Sequence, residues 1–126
     1  MIGLDTSVVV RLLIGEPAGQ AHAARELLAG GSGAVVSDLV VGESYFALRH
    51  HYGVPHRRAV SALTALIDGA RVQARGVAAE VLRAAASASE PGLMDRLIHA
   101  DYDAMGVALH TFDRGAARLK GSVLVR

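Results

Sequence analysis

Short apolar runs and longer segments of helical periodicity alternate along the chain. The short runs are bounded by glycine or polar residues, which is typical of buried strands. The longer segments place apolar side chains three or four residues apart, as Val60, Leu63 and Ile67 show, and they predict helices. Strands are predicted over 1–4, 34–36, 71–74, 107–112 and 123–125. Helices are predicted over 7–14, 20–29, 39–52, 56–67, 78–88 and 93–105, with a helical turn over 115–119.

This alternation predicts an α/β fold of three layers, in which a mostly parallel central sheet of four or five strands lies between helices. No internal repeat, low-complexity tract or linker interrupts the pattern, so we expect a single domain over residues 1–126. In such sheets, ligands bind beyond the carboxyl ends of the strands. Polar residues that directly follow a predicted strand are therefore the first candidates for a functional site.

The composition excludes several kinds of chemistry. The chain has no cysteine, which excludes disulfides, thiolate metal sites and cysteine nucleophiles. Hydrophobic residues make up 52% of the chain and aromatic residues only 4%, so we expect an aliphatic core. The net charge of +1 favours no class of partner. An acid follows the first four residues and no apolar stretch reads as a signal peptide or a membrane span, so we expect a cytoplasmic protein.

Two acidic residues directly follow predicted strands. Asp5 comes after the first strand, and Asp113 comes after the strand that ends at Phe112. Each is well placed to cap the helix or turn that follows, which is the commonest role of Asp at such a position. If the two strands are parallel neighbours, the same residues also bring two carboxylates to one edge of the sheet. Capping and cation binding are compatible, so both interpretations stay open.

Two more acidic residues lie inside predicted helices. Leu39, Glu43 and Phe46 share one helical face, which we expect to be apolar and buried. A buried glutamate needs a compensating cation, either an arginine partner or a metal ion. Asp95 lies on the same side of its helix as the apolar Ile98, a face that we expect to point inward, although the helix dipole alone also favours an acid there.

Together the four acids predict a metal site. Four converging carboxylates repel one another, and some of them would have to hold a proton unless a cation were present. A site made only of carboxylate oxygens suits Mg²⁺ or Mn²⁺ rather than structural zinc.

In successive segments the sequence resembles the PIN-domain ribonucleases, and among them the VapC-type toxins of toxin–antitoxin systems. The segments are Ile2–Ser7, Val36–Glu43, Met94–Ile98, Thr111–Arg114 and Ala117–Leu119. Each of them is short, but their order and separation in a chain of 126 residues are specific. The resemblance runs along the whole chain and implies a PIN-like fold, in agreement with the α/β prediction.

The resemblance also implies which residues form the site. The residues that match the family's catalytic and metal-binding acids are Asp5, Glu43, Asp95 and Asp113. The polar residues that match positions beside them are Thr6, Ser7 and Thr111.

The chain departs from the family's pattern at five positions near these acids. Ser7 stands where an asparagine is common, and Gly92 and Gly115 stand where many relatives have further acids. Arg96 and His99 replace small residues. The quartet is intact, but the second metal ion is in doubt.

The activity implied by the resemblance is hydrolysis of RNA phosphodiester bonds by water that Mg²⁺ or Mn²⁺ activates. Asp5, Asp95 and Asp113 would be metal ligands, and Glu43 would be either a ligand or the residue that orients the water. The implied partners are a small cognate antitoxin protein and a second copy of the chain in a homodimer. The alternatives are an inactive PIN-like binding module and a receiver-type signalling domain, which would need a late lysine at a strand end where Lys120 does not lie.

A basic segment over residues 49–58 is the candidate RNA contact. Its arginines are Arg49, Arg57 and Arg58, and phosphate contacts by such residues make binding salt-dependent. An ordinary solvated helix junction explains the same segment. Its three histidines lack a recognised spacing for zinc.

Overall fold

Five short strands alternate with six α-helices, and the computed structural model describes all 126 residues. The strands are β1 (Ile2–Gly3), β2 (Ala34–Val36), β3 (Val72–Ala74), β4 (His110–Thr111) and β5 (Val123–Leu124). The helices are α1 (Thr6–Ile14), α2 (Ala18–Ala29), α3 (Asp38–His50), α4 (His56–Asp68), α5 (Ala78–Ala85) and α6 (Leu93–Ala104). A 3₁₀ turn covers Ala116–Arg118. The predicted α/β fold is confirmed.

All the strands pair in parallel, but they form two sheets instead of one. The larger sheet has the order β1-β2-β3, and β4 pairs only with β5. The predicted strand over 107–112 is shorter than expected because its first residues complete the end of α6. There the amide of Val107 donates to the carbonyl of Tyr102 at 3.1 Å, and Gly106 turns the chain with a φ of +75°.

The core is aliphatic, as the composition predicts. Both Ala34 and Val36 of the central strand β2 are buried, and Val35, on the opposite face of the sheet, is half-buried. Because successive residues of a strand point to opposite faces, helices cover both sides of the sheet. The largest fully buried side chains are leucines from four different helices, and burying each one contributes about 2 kcal/mol. They are Leu48, Leu63, Leu82 and Leu93.

Asp38 fixes the carboxyl edge of the larger sheet. The hydroxyl of Ser37 caps α3 by accepting from the amide of Val40 at 3.2 Å. The next carboxylate, that of Asp38, accepts from the amides of Val77 and Ala78 at 3.1 and 2.9 Å and so caps α5. The Asp38 carboxylate is therefore used within the fold. It links α3, which follows β2, to α5, which follows β3, at the carboxyl edge of the sheet. No helix is both long and apolar enough to cross a membrane.

Candidate metal centre

Asp5 lies where β1 ends and α1 begins, at the carboxyl edge of the sheet. Its carboxylate is exposed and accepts a hydrogen bond from the hydroxyl of Ser7 at 3.0 Å. This bond lowers the pKa of Asp5, and the backbone amides of Thr6 and Ser7 lower it further, although neither forms a capping bond of good geometry. Asp5 is thus held ionised, and its side chain is free of the capping role that its position also allowed.

Glu43 is brought to the same edge by a hydrogen bond between helices. The hydroxyl of Thr6, in the first turn of α1, donates to a carboxylate oxygen of Glu43 on α3. Two of the polar residues predicted beside the acids therefore hold acids directly: Ser7 binds Asp5 and Thr6 binds Glu43.

The prediction that Glu43 lies on a buried helical face is wrong. Leu39 is 81% exposed and Phe46 is 51% exposed, and Glu43 is exposed between them. The buried face of α3 carries Gly42 and Ser44 together with the apolar Val41 and Leu48. Gly42 and Ser44 weaken the apolar pattern of the packed face. The exposed face with Leu39 and Phe46 therefore shows the clearer apolar stripe in the sequence.

A close helix contact brings α3 beside α6. At Gly42 a Cβ atom would lie 3.1 Å from Cε of Met94 and 3.2 Å from Cδ1 of Leu97, and it would clash with the Met94 sulfur. The absence of a side chain at Gly42 therefore sets the approach of the two helices. The acids Glu43 and Asp95 are the next residues along each helix.

Asp95 lies in the first turn of α6 and is partly buried. Its burial raises its pKa, and the nearby carboxylates of Asp113 and Glu90 raise it further. The expected inward face at Ile98 is wrong, because Ile98 is 44% exposed. The buried residues Leu93 and Leu97 define the inner side of α6 instead.

Asp113 follows β4 and has two roles. One carboxylate oxygen, Oδ1, accepts from the amide of Ala116 at 2.8 Å and caps the 3₁₀ turn. The other oxygen makes no hydrogen bond within the chain. The hydroxyl of Thr111 accepts from the backbone amide of Asp113 at 3.0 Å, so it positions the backbone here and not the carboxylate.

Glu90 is a fifth acid, which the sequence did not single out. It lies in the segment before α6, and its charge raises the pKa of Asp95. A Cβ atom on Gly115 would lie 3.0 Å from Oδ1 of Asp113 and 4.0 Å from Oε2 of Glu90. Both carboxylates therefore lie beside Gly115, and the Asp113 carboxylate leaves little room there for a side chain.

Two residues that depart from the family's pattern, Arg96 and His99, hold α6 against neighbouring segments by hydrogen bonds. The guanidinium of Arg96 donates to the carbonyl of Pro91 at 2.9 Å and holds the segment that carries Glu90 against α6. The Nε2 atom of His99 lies 2.7 Å from the carbonyl of Lys120 and ties α6 to the end of the chain.

The acids fall into two groups and do not form a closed cage. Asp5 and Glu43 are held by Ser7 and Thr6 at the start of α1, and Asp95, Asp113 and Glu90 interact at the start of α6 and the end of β4. In the present side-chain conformations no three carboxylates or imidazoles meet the geometry needed to hold an ion. The donor set nonetheless fits Mg²⁺ or Mn²⁺, because it is all oxygen and two of its carboxylates, those of Asp113 and Glu90, lie beside Gly115. A divalent cation among these carboxylates would relieve the repulsion that raises the pKa of Asp95.

The basic segment over 49–58 separates into residues with different roles. Arg49 donates to the carbonyl of Val54 at 3.3 Å and closes the turn between α3 and α4. Arg57 and Arg58 are exposed. His56 lies 2.6 Å from the hydroxyl of Tyr45 and 2.8 Å from a backbone carbonyl of α5, so its ring joins three helices.

The chain matches one known protein family over most of its length. The family described as the PIN domain matches residues 2–122 of the chain. No curated protein matches the chain. Members of the PIN family are typically metal-dependent nucleases. A match over nearly the whole length shows that this chain belongs to the PIN-domain family.

Proposed function

We propose that this chain is an endoribonuclease that depends on Mg²⁺ or Mn²⁺ and acts as the toxin of a type II toxin–antitoxin system. The observation that carries the proposal is the cluster of Asp95, Asp113 and Glu90, in which the carboxylates of Asp113 and Glu90 lie beside Gly115 and raise the pKa of Asp95. Such a cluster has a high free energy without a cation and a low one with it.

Each residue has a distinct part in the proposed reaction. Asp95, Asp113 and Glu90 would hold the cation, with Asp5 as a fourth carboxylate. When bound, the cation supplies a more acidic water and neutralises charge on the phosphate. Asp5 is ionised at neutral pH, and the Ser7 hydroxyl stabilises the ionised form by lowering its pKa.

Glu43 is suited to orienting the attacking water. The Thr6 hydroxyl fixes one of its carboxylate oxygens. The other oxygen stays free to accept a proton from a water molecule. Ionised Asp5 lies in the same turn as Thr6, so both acceptors approach from the α1 side of the site.

An exposed apolar surface supports the partner part of the proposal. A cavity of about 540 Å³ beside Glu43 is lined by apolar side chains that include Leu39, Phe46 and Met94. Contiguous exposed apolar surface of this kind typically marks a protein interface. An antitoxin segment that places apolar residues there and an arginine on Glu43 would cover the site and block it. A homodimer through other surfaces completes the proposed assembly.

The activity is tested with purified protein freed of any bound partner. We expect single-stranded RNA to be cleaved in Mn²⁺ or Mg²⁺ and not in EDTA, with loss of cleavage in Asp5→Asn and Asp95→Asn. The matched control is Asp68→Asn, an exposed acid at the end of α4. Folded wild-type protein that cleaves no RNA in either metal would favour the inactive binding module. Growth arrest on expression, relieved by a cognate antitoxin, tests the toxin role.

A further inference from the structure

A second cavity lies next to the acidic cluster and is lined by positive and polar side chains. It has a volume of about 670 Å³ and lies between the start of α4 and the segment that follows α5. Its charged and hydroxyl side chains are those of Arg57, Arg118, Ser87, Ser89 and Glu90. We call it the Arg-lined cavity. Only two of its nine lining residues are hydrophobic, so it suits a polar ligand.

The two arginines of the Arg-lined cavity are not engaged within the fold. Four other arginines donate hydrogen bonds to the chain: Arg11, Arg49, Arg75 and Arg96. Arg57 and Arg118 make no such bond, and both are exposed. Each guanidinium presents five N–H donors in a planar fork that matches a phosphate. The two side chains therefore keep their full hydrogen-bonding capacity for a ligand.

The walls of this cavity are held in place by interactions that do not use its arginines. The His56 ring is fixed between the Tyr45 hydroxyl and the carbonyl of Ala85, which joins the start of α4 to the end of α5. On the opposite side, Arg96 holds the carbonyl of Pro91 and thereby the segment with Glu90. The cavity is therefore formed before any ligand arrives, which lowers the entropic cost of binding.

The Arg-lined cavity is continuous with the acidic cluster. Glu90 lines the cavity and also raises the pKa of Asp95. Arg118 lies in the 3₁₀ turn that Asp113 caps, so the backbone that positions the acid also positions the arginine. A polyanion whose reacting phosphate lies at the acids would have its next phosphates at the cavity.

We propose that the Arg-lined cavity binds the backbone phosphates of single-stranded RNA beside the bond that is cleaved. This inference rests on the proposed nuclease function. Arg57 and Arg118 bind the phosphates, and Ser87 and Ser89 donate or accept hydrogen bonds at the sugar or phosphate oxygens. Arg49, which the sequence also suggested as an RNA contact, does not line this cavity and donates to the Val54 carbonyl instead.

Binding is tested separately from cleavage. Fluorescence anisotropy measures the affinity of a labelled single-stranded RNA oligomer in EDTA, where no cleavage occurs, over a range of salt concentrations. The test variant is Arg57→Gln/Arg118→Gln. The control is Arg25→Gln/Arg71→Gln, which removes the same charge from exposed positions on α2 and just before β3.

The expected loss follows from counterion release. Each phosphate contact to a single strand contributes about 0.7 to the slope of log K against log salt, so losing two contacts lowers the slope by about 1.4. At 0.1 M monovalent salt this is an affinity loss of about 25-fold. The control variant is expected to change the affinity by less than about threefold.

Cleavage of a dinucleotide gives a second measurement, because so short a substrate has no further phosphate to place in the cavity. We expect Arg57→Gln/Arg118→Gln to slow cleavage of the long RNA by a larger factor than cleavage of the dinucleotide. Equal affinities and slopes for the test and control variants would overturn the cavity proposal, even in a protein that cleaves RNA. The expected loss of affinity in a protein that never cleaves RNA would uphold the cavity and refute the nuclease function. Tighter binding of an acidic peptide than of RNA would assign the cavity to a protein partner and overturn the proposal.

Discussion

Replacing Asp95 by Asn is expected to stabilise the cation-free protein at neutral pH and to abolish its stabilisation by Mn²⁺. The substitution keeps the size of the side chain and removes its charge from beside Asp113 and Glu90. Residues that serve a metal site often lower the stability of the free protein. The substitution is thus expected to raise stability without the cation and to lower it, relative to wild type, with the cation. A purely structural residue would change stability in the same direction under both conditions.

The pH dependence follows from the direction of the pKa shift. Burial, and then the carboxylates of Asp113 and Glu90, raise the pKa of Asp95 above its usual 3.8. The folded protein therefore keeps this proton at pH values where the unfolded chain has lost it. Since the native state then binds more protons, the free energy of unfolding falls as the pH rises from the unfolded to the folded pKa. At pH 7 the free energy of unfolding of the wild type is lowered by the full amount. That of Asp95→Asn is not lowered, because its amide does not titrate.

The magnitudes are within reach of thermal unfolding. Each of the two like-charge contacts that disappear is worth about 0.2–1 kcal/mol for carboxylates that solvent screens. A cation present at 100 times its Kd stabilises the wild type by about 2.7 kcal/mol. An unfolding entropy of about 2.1 cal/mol/K per residue makes 1 kcal/mol equal to roughly 4 °C in Tm for a chain of 126 residues. We therefore expect a Tm about 2–8 °C above wild type in EDTA, and a wild-type gain of about 10 °C with Mn²⁺ that the variant lacks.

The assay is calorimetry or fluorimetry at pH 7, in EDTA and across a series of Mn²⁺ concentrations. Glu80→Gln is the matched control, because Glu80 is an exposed acid in the first turn of α5, as Asp95 is in the first turn of α6. Equal Mn²⁺ shifts in wild type and Asp95→Asn would refute the reasoning. So would an Asp95→Asn protein that is less stable than Glu80→Gln in EDTA.

Three further predictions concern other residues of the site and its support. Glu90→Gln is expected to weaken Mn²⁺ binding by about tenfold in calorimetric titration, as the loss of a supporting carboxylate does in other metal sites; an unchanged affinity would remove Glu90 from the centre. Gly42→Ala is expected to cost about 1–2 kcal/mol of stability in urea unfolding, because overpacking against Met94 outweighs the gain of about 1 kcal/mol from helix propensity. In a Met94→Ala background the same substitution should cost nothing or stabilise, and an equal cost in both backgrounds would contradict the close contact. Gly76→Ala is expected to cost about 2–4 kcal/mol in the same assay, because Gly76 has a φ of +108° and its Cβ would displace the Asp38 carboxylate from α5; a loss below 1 kcal/mol would contradict this.

The helices and strands could be predicted because each one carries its own local pattern. The apolar stripe of α4, with Val60 and Leu63 buried, lies where the periodicity places it. The division of the strands into two sheets could not be predicted, because pairing depends on contacts between distant segments. The short length of β4 could not be predicted either. The residues that follow the turn at Gly106 are apolar enough to suggest a strand, although β4 covers only His110–Thr111.

The site could be predicted in part. Asp5 and Asp113 were recognisable because they directly follow strands, and the structure places both beside strand ends. The exposure of Glu43 was missed because periodicity shows that a helix has an apolar stripe and not whether that stripe is packed. Glu90 was missed because its nearness to Asp95 depends on the path of the chain before α6, which Arg96 fixes through a backbone carbonyl. No spacing in the sequence signals such a contact.

The central claim is that one divalent cation is shared by carboxylates from α6, the end of β4 and the segment before α6. Crystals grown with Mn²⁺ and measured for anomalous scattering test it most directly. We expect a peak about 2.1–2.2 Å from carboxylate oxygens of Asp95 and Asp113, with Glu90 and Asp5 bound directly or through water. A crystal at saturating Mn²⁺ with no peak within reach of Asp95 and Asp113, or with the ion held elsewhere, would contradict it.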